Sequence, residues 1–182
     1  MTALSASHQY DVFLSYASAD HAEADLIASA LRAADLKVFF DKKSIIPGQL
    51  WTEAILAALR SCDTMVFLLT SHSATSPYVQ QELGAALITE KQIVPILWEK
   101  FYELPGWTRD FQWLDLREIE AEQKILALGP LVEVLAQRKQ ERIARKISDV
   151  KKELALDYLA MNPVSGPFLA LYKATKKLSQ QK

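Results

Sequence analysis

Tyr78 and Glu82 stand four residues apart in the stretch Ser76-Pro77-Tyr78-Val79-Gln80-Gln81-Glu82. Proline suits the first turn of a helix, where its missing N–H costs nothing, and Ser76 before it can cap the orphan amides. A helix therefore opens here, and residues four apart on it share a face, so an aromatic ring lies beside a carboxylate. That pair has the shape of a ligand site. A plainer reading makes Glu82 a solvated helix acid and Tyr78 a partly buried packing residue, and this stretch alone leaves both open.

The elements that would position the pair follow from the pattern on either side. Thr64-Met65-Val66-Phe67-Leu68-Leu69 is a continuous apolar run that empties into the polar Thr70-Ser71-His72-Ser73, as a central strand does when it ends in a loop. Ligands of open α/β sheets bind at that edge. Upstream, Asp11 to Tyr16 is strand-like, Ala17-Ser18-Ala19-Asp20 changes to caps, and Ala22, Leu26, Ile27, Ala30, Leu31 and Ala34 recur at helical spacing. Leu36 to Phe40 returns to strand composition, and Asp41 to Gly48 is a loop ending in a Pro-Gly turn signal, with apolar Ile45 and Ile46 inside it. Trp51, Ile55, Leu56 and Leu59 mark a second helix. Ile93 to Trp98 is a further strand, in which Pro95 suggests an edge or irregular position. Phe111 to Leu116 is a short fifth strand, and Glu118 to Leu128 a further helical pattern. Such alternation predicts a doubly wound α/β domain, a five-stranded parallel sheet with helices on both faces.

Composition narrows the function classes. A net charge of −1 gives no global attraction to nucleic acid or an anionic membrane. Cys62 is the only cysteine, which excludes an intrachain disulfide and a cysteine metal cluster and fits a reducing compartment. No stretch approaches the ~18 uninterrupted apolar residues of a membrane span, so a cytoplasmic protein is expected. Residues 1–9 read as a disordered N-terminus, 10–137 as the domain and 138–182 as a C-terminal helical extension. In that extension Ile143, Ile147, Val150, Leu154, Tyr158 and Met161 form a narrow apolar seam on a charged helix opened by Pro130. Phe168 to Leu178 can form a short helix that folds back on it. The seam is read either as part of such a hairpin or as a dimerisation or partner-docking arm. The basic run Arg138 to Lys146 raises nucleic acid as a partner, but interspersed acids and the lack of interleaved aromatics make a solvated helix face the preferred reading.

In order and spacing, these segments resemble the TIR (Toll/interleukin-receptor) domain, particularly its bacterial type, over roughly Tyr10 to Leu135. Tyr10-Asp11-Val12-Phe13-Leu14-Ser15-Tyr16 resembles the family's first box, Asp41 to Gly48 its variable connecting loop, Ser76 to Leu83 its serine, aromatic, glutamate-leucine helix start, and Gln92 to Ile96 its fourth strand. The resemblance implies a flavodoxin-like fold and, in many members, cleavage of NAD⁺ at the nicotinamide–ribose bond. NAD⁺ is then the substrate, and no cofactor or metal is implied. By position, Glu82 is the catalytic glutamate, with Tyr78 where tryptophan is frequent. Ser76, Tyr16, Ala17, Ser18, Asp41, Lys43, Leu50 and Trp51 match or adjoin the substrate-contact regions. Ala17 and Ser18 stand where the family commonly has basic residues.

The resemblance further implies a signal-producing protein of bacterial anti-phage immunity, or a subunit activated by a partner protein. It implies association with other TIR domains through the 41–48 loop, as a homo-oligomer or with that partner. Hydrolase and cyclase outcomes stay open. The alternative from another class is a non-catalytic TIR–TIR scaffold or host-directed effector.

Overall fold

The computed structural model describes residues 9–40, 51–100, 106 and 110–161, and their side chains except at 51–52 and 155–161. Its strands are β1 (Val12–Ser15), β2 (Val38–Phe39), β3 (Thr64–Leu69), β4 (Gln92–Leu97) and β5 (Leu114–Asp115); its helices are α1 (His21–Ala33), α2 (Trp51–Arg60), α3 (Ser71–Thr75), α4 (Pro77–Ile88) and α5 (Gly129–Met161). The strands form one sheet in the order β2-β1-β3-β4-β5, parallel throughout. This is the flavodoxin-like order that the family resemblance implies. The chain winds outward from β1 to β2 and returns to β3 on the other side, so its topological switch point lies between β1 and β3.

Alternation along the strands sorts the core into two layers. Val12, Leu14, Val38, Val66, Leu68 and Ile96 pack with Ala24, Ile27, Ala28 and Leu31 of α1 and with Leu131 and Leu135 at the start of α5. Phe13, Phe39, Met65, Phe67, Leu69, Ile93 and Leu97 pack with Ile55 and Leu59 of α2 and with Val79, Leu83 and Ala86 of α4. The strands are short and covered on both faces, which is why their apolar runs are continuous.

Several expectations need correction. The buried stripe of α1 is Ala24, Ile27, Ala28 and Leu31, while Leu26 is exposed and so is Ala22; spacing alone could not choose between adjacent small-residue stripes. Pro95 lies inside β4, opposite Phe67, and β4 is an interior strand. Because β5 pairs only with Ile96 and Leu97, the proline stands where the ladder has a strand partner on one side alone. Thr70 to Ser73 is no loop: Ser71–Thr75 is a helix whose N-cap, Thr70, makes a capping box with Ser73. The pattern from Glu118 to Leu128 yields two single 3₁₀ turns, Ala121–Gln123 and Leu126–Leu128.

The chain divides into two compact units, the first ending at Lys139 and the second beginning at Gln140. Within the second, Ile143, Ile147, Val150 and Leu154 are all exposed; the side chains of Tyr158 and Met161 and the segment Phe168 to Leu178 lie outside the described residues.

Candidate active site at the switch point

Glu82 is held from two directions. Along the chain, Ser76 caps α4, its hydroxyl accepting from the Val79 N–H at 3.5 Å, with Pro77 in the first turn, as its local sequence predicts. Across the sheet, β1 ends on Ser15, whose side chain alternates onto the α2/α4 layer and donates from its hydroxyl to Glu82 Oε2 at 2.6 Å. Both side chains are buried, Glu82 to 1% exposure. The contact joins residues 67 positions apart and fastens α4 to the C-terminal end of β1 at the switch point. At 2.6 Å the bond is short for a hydroxyl donor, so it fixes the carboxyl group as well as the helix.

The expected face shared by Tyr78 and Glu82 is not what the structure shows. Tyr78 is 60% exposed whereas Glu82 is inside. Four residues on an α-helix turn through about 400°, leaving the pair offset by about 40°. The buried stripe Val79, Glu82, Leu83 and Ala86 has Glu82 at its border and leaves Tyr78 just outside it. Tyr78 is therefore a surface tyrosine at the opening turn of α4.

The first-box residues divide similarly. Tyr16 and Ala17 are buried, and the Tyr16 ring belongs to the α1-side layer, stacked on Phe40 at 5.2 Å and linked from its hydroxyl to His21 Nδ1 at 3.2 Å. That layer is opposite the one holding Glu82. Ser18 is exposed and starts a 3₁₀ turn, Ser18–Asp20. Trp51 opens α2, its side chain outside the described residues, as are Asp41, Lys43 and Leu50 altogether.

A second polar cluster, which sequence reasoning missed, spans the same switch point. The buried Asp20 accepts from the Thr70 hydroxyl at 2.5 Å through Oδ2 and lies 2.6 Å from His72 Nδ1 through Oδ1. The hydrogen bond from Asp20 and its charge raise the His72 pKa above the ordinary imidazole value. Nearby, the Ser71 N–H donates to Glu99 Oε1 at 2.5 Å, and the Ser71 hydroxyl and N–H hold Glu99 below the usual carboxylate range. The missed signal was the loop reading of Thr70 to Ser73: as a capping box it fixes Thr70 and His72 rather than leaving them loose. Among the described residues, no group of three or more His, Cys, Asp or Glu side chains is placed to hold a metal ion. Burial pushes the Cys62 thiol up to about 11, so it is no nucleophile.

Comparison with known proteins bears on the family and the fold. A family model described as TIR domain matches residues 12–128. The Brachypodium distachyon protein named "Probable 2' cyclic ADP-D-ribose synthase BdTIR" is 30% identical over 93 residues, which are 50% of this chain and 42% of that protein. The chain thus spans well under half the length of that relative. Among solved structures, the TIR domain of the Toll-related receptor TRR-2 from Hydra magnipapillata superposes with a TM-score of 0.61 at 21% identity, covering 70% of this chain and 98% of that one. A TIR-STING receptor from C. gigas, in complex with 2',3'-cGAMP, gives a TM-score of 0.53 at 20% identity, over 66% of this chain and 40% of the receptor. These likenesses show the same fold. Among the described residues, no helix is long and apolar enough to cross a membrane. With a five-stranded parallel sheet in this order and a family match across the whole of it, the chain belongs to the TIR-domain family.

Proposed function

We propose that this chain cleaves NAD⁺ at the nicotinamide–ribose bond, with Glu82 as the catalytic carboxylate. The observation that carries the reading is the Ser15–Glu82 contact, which fixes an acid at the C-terminal end of β1 beside the switch point. The likeness to BdTIR supports it. In the reaction, the bond from ribose C1′ to the pyridinium nitrogen breaks and its electron pair goes to the nitrogen, so nicotinamide leaves neutral. The ribose is left oxocarbenium-like. A carboxylate fixed by a hydroxyl donor stabilises that charge and needs little reorganisation to do so. Capture by water gives ADP-ribose and a proton; capture by an atom of the same molecule gives a cyclic product.

Burial sets a condition. Substrate contact requires Glu82 to become accessible, and association with another TIR domain through residues 41–48 is the step proposed to expose it. Burial also favours a second reading, a non-catalytic TIR–TIR module in which the Ser15–Glu82 bond simply pins α4. The two readings part in one experiment. Concentrated protein, with and without fusion to an oligomeriser, is incubated with NAD⁺ and the products are separated by chromatography, beside folded Glu82→Gln. Nicotinamide release by the parent alone establishes the enzyme, and the co-product distinguishes hydrolase from cyclase. No release from either protein in either state establishes the scaffold.

A further inference from the structure

The first turns of α5 bury Leu131 and Leu135 in the core, but farther along Ile143, Ile147, Val150 and Leu154 are 37% to 63% exposed. Their spacing of four, three and four is the repeat of a two-helix seam. The four residues span three turns, about 17 Å at the helical rise. An apolar stripe of this form on an otherwise charged helix requires a helical partner. The flanking charges say which one and in which direction.

In a seam of this repeat, the residue immediately before every second apolar position borders the interface. Here those residues are Lys146, before Ile147, and Glu153, before Leu154. When two copies of α5 lie antiparallel, Ile143 packs on the partner's Leu154 and Ile147 on the partner's Val150. The two-fold axis repeats every contact, and Lys146 of each copy then faces Glu153 of the other. In the parallel arrangement, Lys146 faces the partner's Lys151 instead, a like-charge contact on both sides. Charge complementarity therefore selects one orientation. We propose that residues 143–154 of α5 form an antiparallel helix pair with a second copy of this chain, a contact separate from the 41–48 association above and independent of whether the protein cleaves NAD⁺.

The interface is small, so the dimer is weak and appears with concentration. Sedimentation equilibrium of the full chain between about 1 and about 300 µM tests it, a range wide enough to bracket a micromolar to submillimolar constant. A concentration-dependent dimer is expected. Ile147→Asp, on an exposed face and checked for folding by circular dichroism, is expected to raise the dissociation constant at least about a hundredfold, because the substitution enters the seam twice. Lys146→Glu is expected to raise it about tenfold, and adding Glu153→Lys to restore it, since the two pairs are then merely reversed. Tightening by Lys146→Glu would instead mean a parallel pair and overturn the proposal. A chain that stays monomeric throughout overturns it too, as it would if residues 162–182 covered the seam. So does a dimer indifferent to Ile147→Asp, which would be held through another surface.

Discussion

Acids are buried at both edges of the sheet, Asp11 at one and Asp20 and Glu82 at the other, but they are held differently. At the N-terminal edge, Asp11 precedes β1 and accepts from the Lys37 N–H at 2.8 Å, while Lys139 Nζ lies 3.8 Å away. The same lysine reaches Asp35 Oδ2 at 2.7 Å, just past α1, where Asp35 adopts a left-handed φ of 60°. One ammonium thus gathers the end of α1, the entrance of β1 and α5. At the C-terminal edge, Glu82 and Asp20 are met by the side chains of Ser15, Thr70 and His72, which lie at or just beyond the ends of β1 and β3. The first arrangement binds backbone to helix and has the character of a joint. The second places acids where a parallel sheet leaves its crevice. Burial of an acid is therefore no mark of chemistry by itself; the edge it occupies decides what it can meet.

Substitutions can break this contrast. Under the proposed function the largest effect is expected from Glu82→Gln, which removes the charge while keeping the shape. NAD⁺ turnover should fall by about 10² to 10³, the usual worth of a fixed charge-stabilising group. Its melting temperature should change little, since the amide oxygen can still accept from the Ser15 hydroxyl. Ser15→Ala removes the donor that fixes the carboxylate and should cost about tenfold in turnover, as one charge-assisted hydrogen bond would. At the other edge the pattern inverts: Asp11→Asn should lower stability in urea by about 1–3 kcal/mol and leave turnover per folded molecule unchanged. An equal loss of activity in Asp11→Asn and Glu82→Gln would erase the distinction between joint and crevice.

The smaller effects sharpen it. Because folding raises the His72 pKa through the bond and charge of Asp20, that contact stabilises fully below the ordinary imidazole value. Its contribution is lost as pH rises through the raised one. The melting-temperature gap between the parent and His72→Ala should therefore narrow from acidic to mildly alkaline pH, and a constant gap would show that the imidazole acts only by packing. Cys62, buried with its thiol donating to the Leu59 carbonyl at 3.1 Å and a pKa near 11, should resist alkylation at pH 8 until the protein unfolds; mass spectrometry of native and urea-treated samples reads this directly.

What was legible in the sequence was local or periodic. Alternating runs predicted five strands, and the serine-proline signal placed the start of α4 correctly because cap and turn chemistry act within a few residues. Long-range pairing was not legible. Ser15 reads as one more residue of a strand, and only its parity along β1, with the layer that α4 occupies, brings it to Glu82. Asp20 reads as a cap, yet its partners lie 50 and 52 positions away. The Tyr78 orientation failed for a finer reason: spacing of four tolerates an offset large enough to place one residue in solvent and the other inside. The exposed seam of α5 was visible throughout, because an apolar repeat needs no tertiary context to be seen.

Thr70 does two jobs at once: its oxygen receives the Ser73 N–H that closes the first turn of α3, and its proton goes to Asp20. Valine would remove both, and serine would keep both while losing only a methyl group. The residue therefore behaves as a hub in mutational space, where drift through apolar isosteres is closed and a single neighbouring sequence remains open. A lineage could rework the surrounding surface freely and still pass through that one narrow doorway.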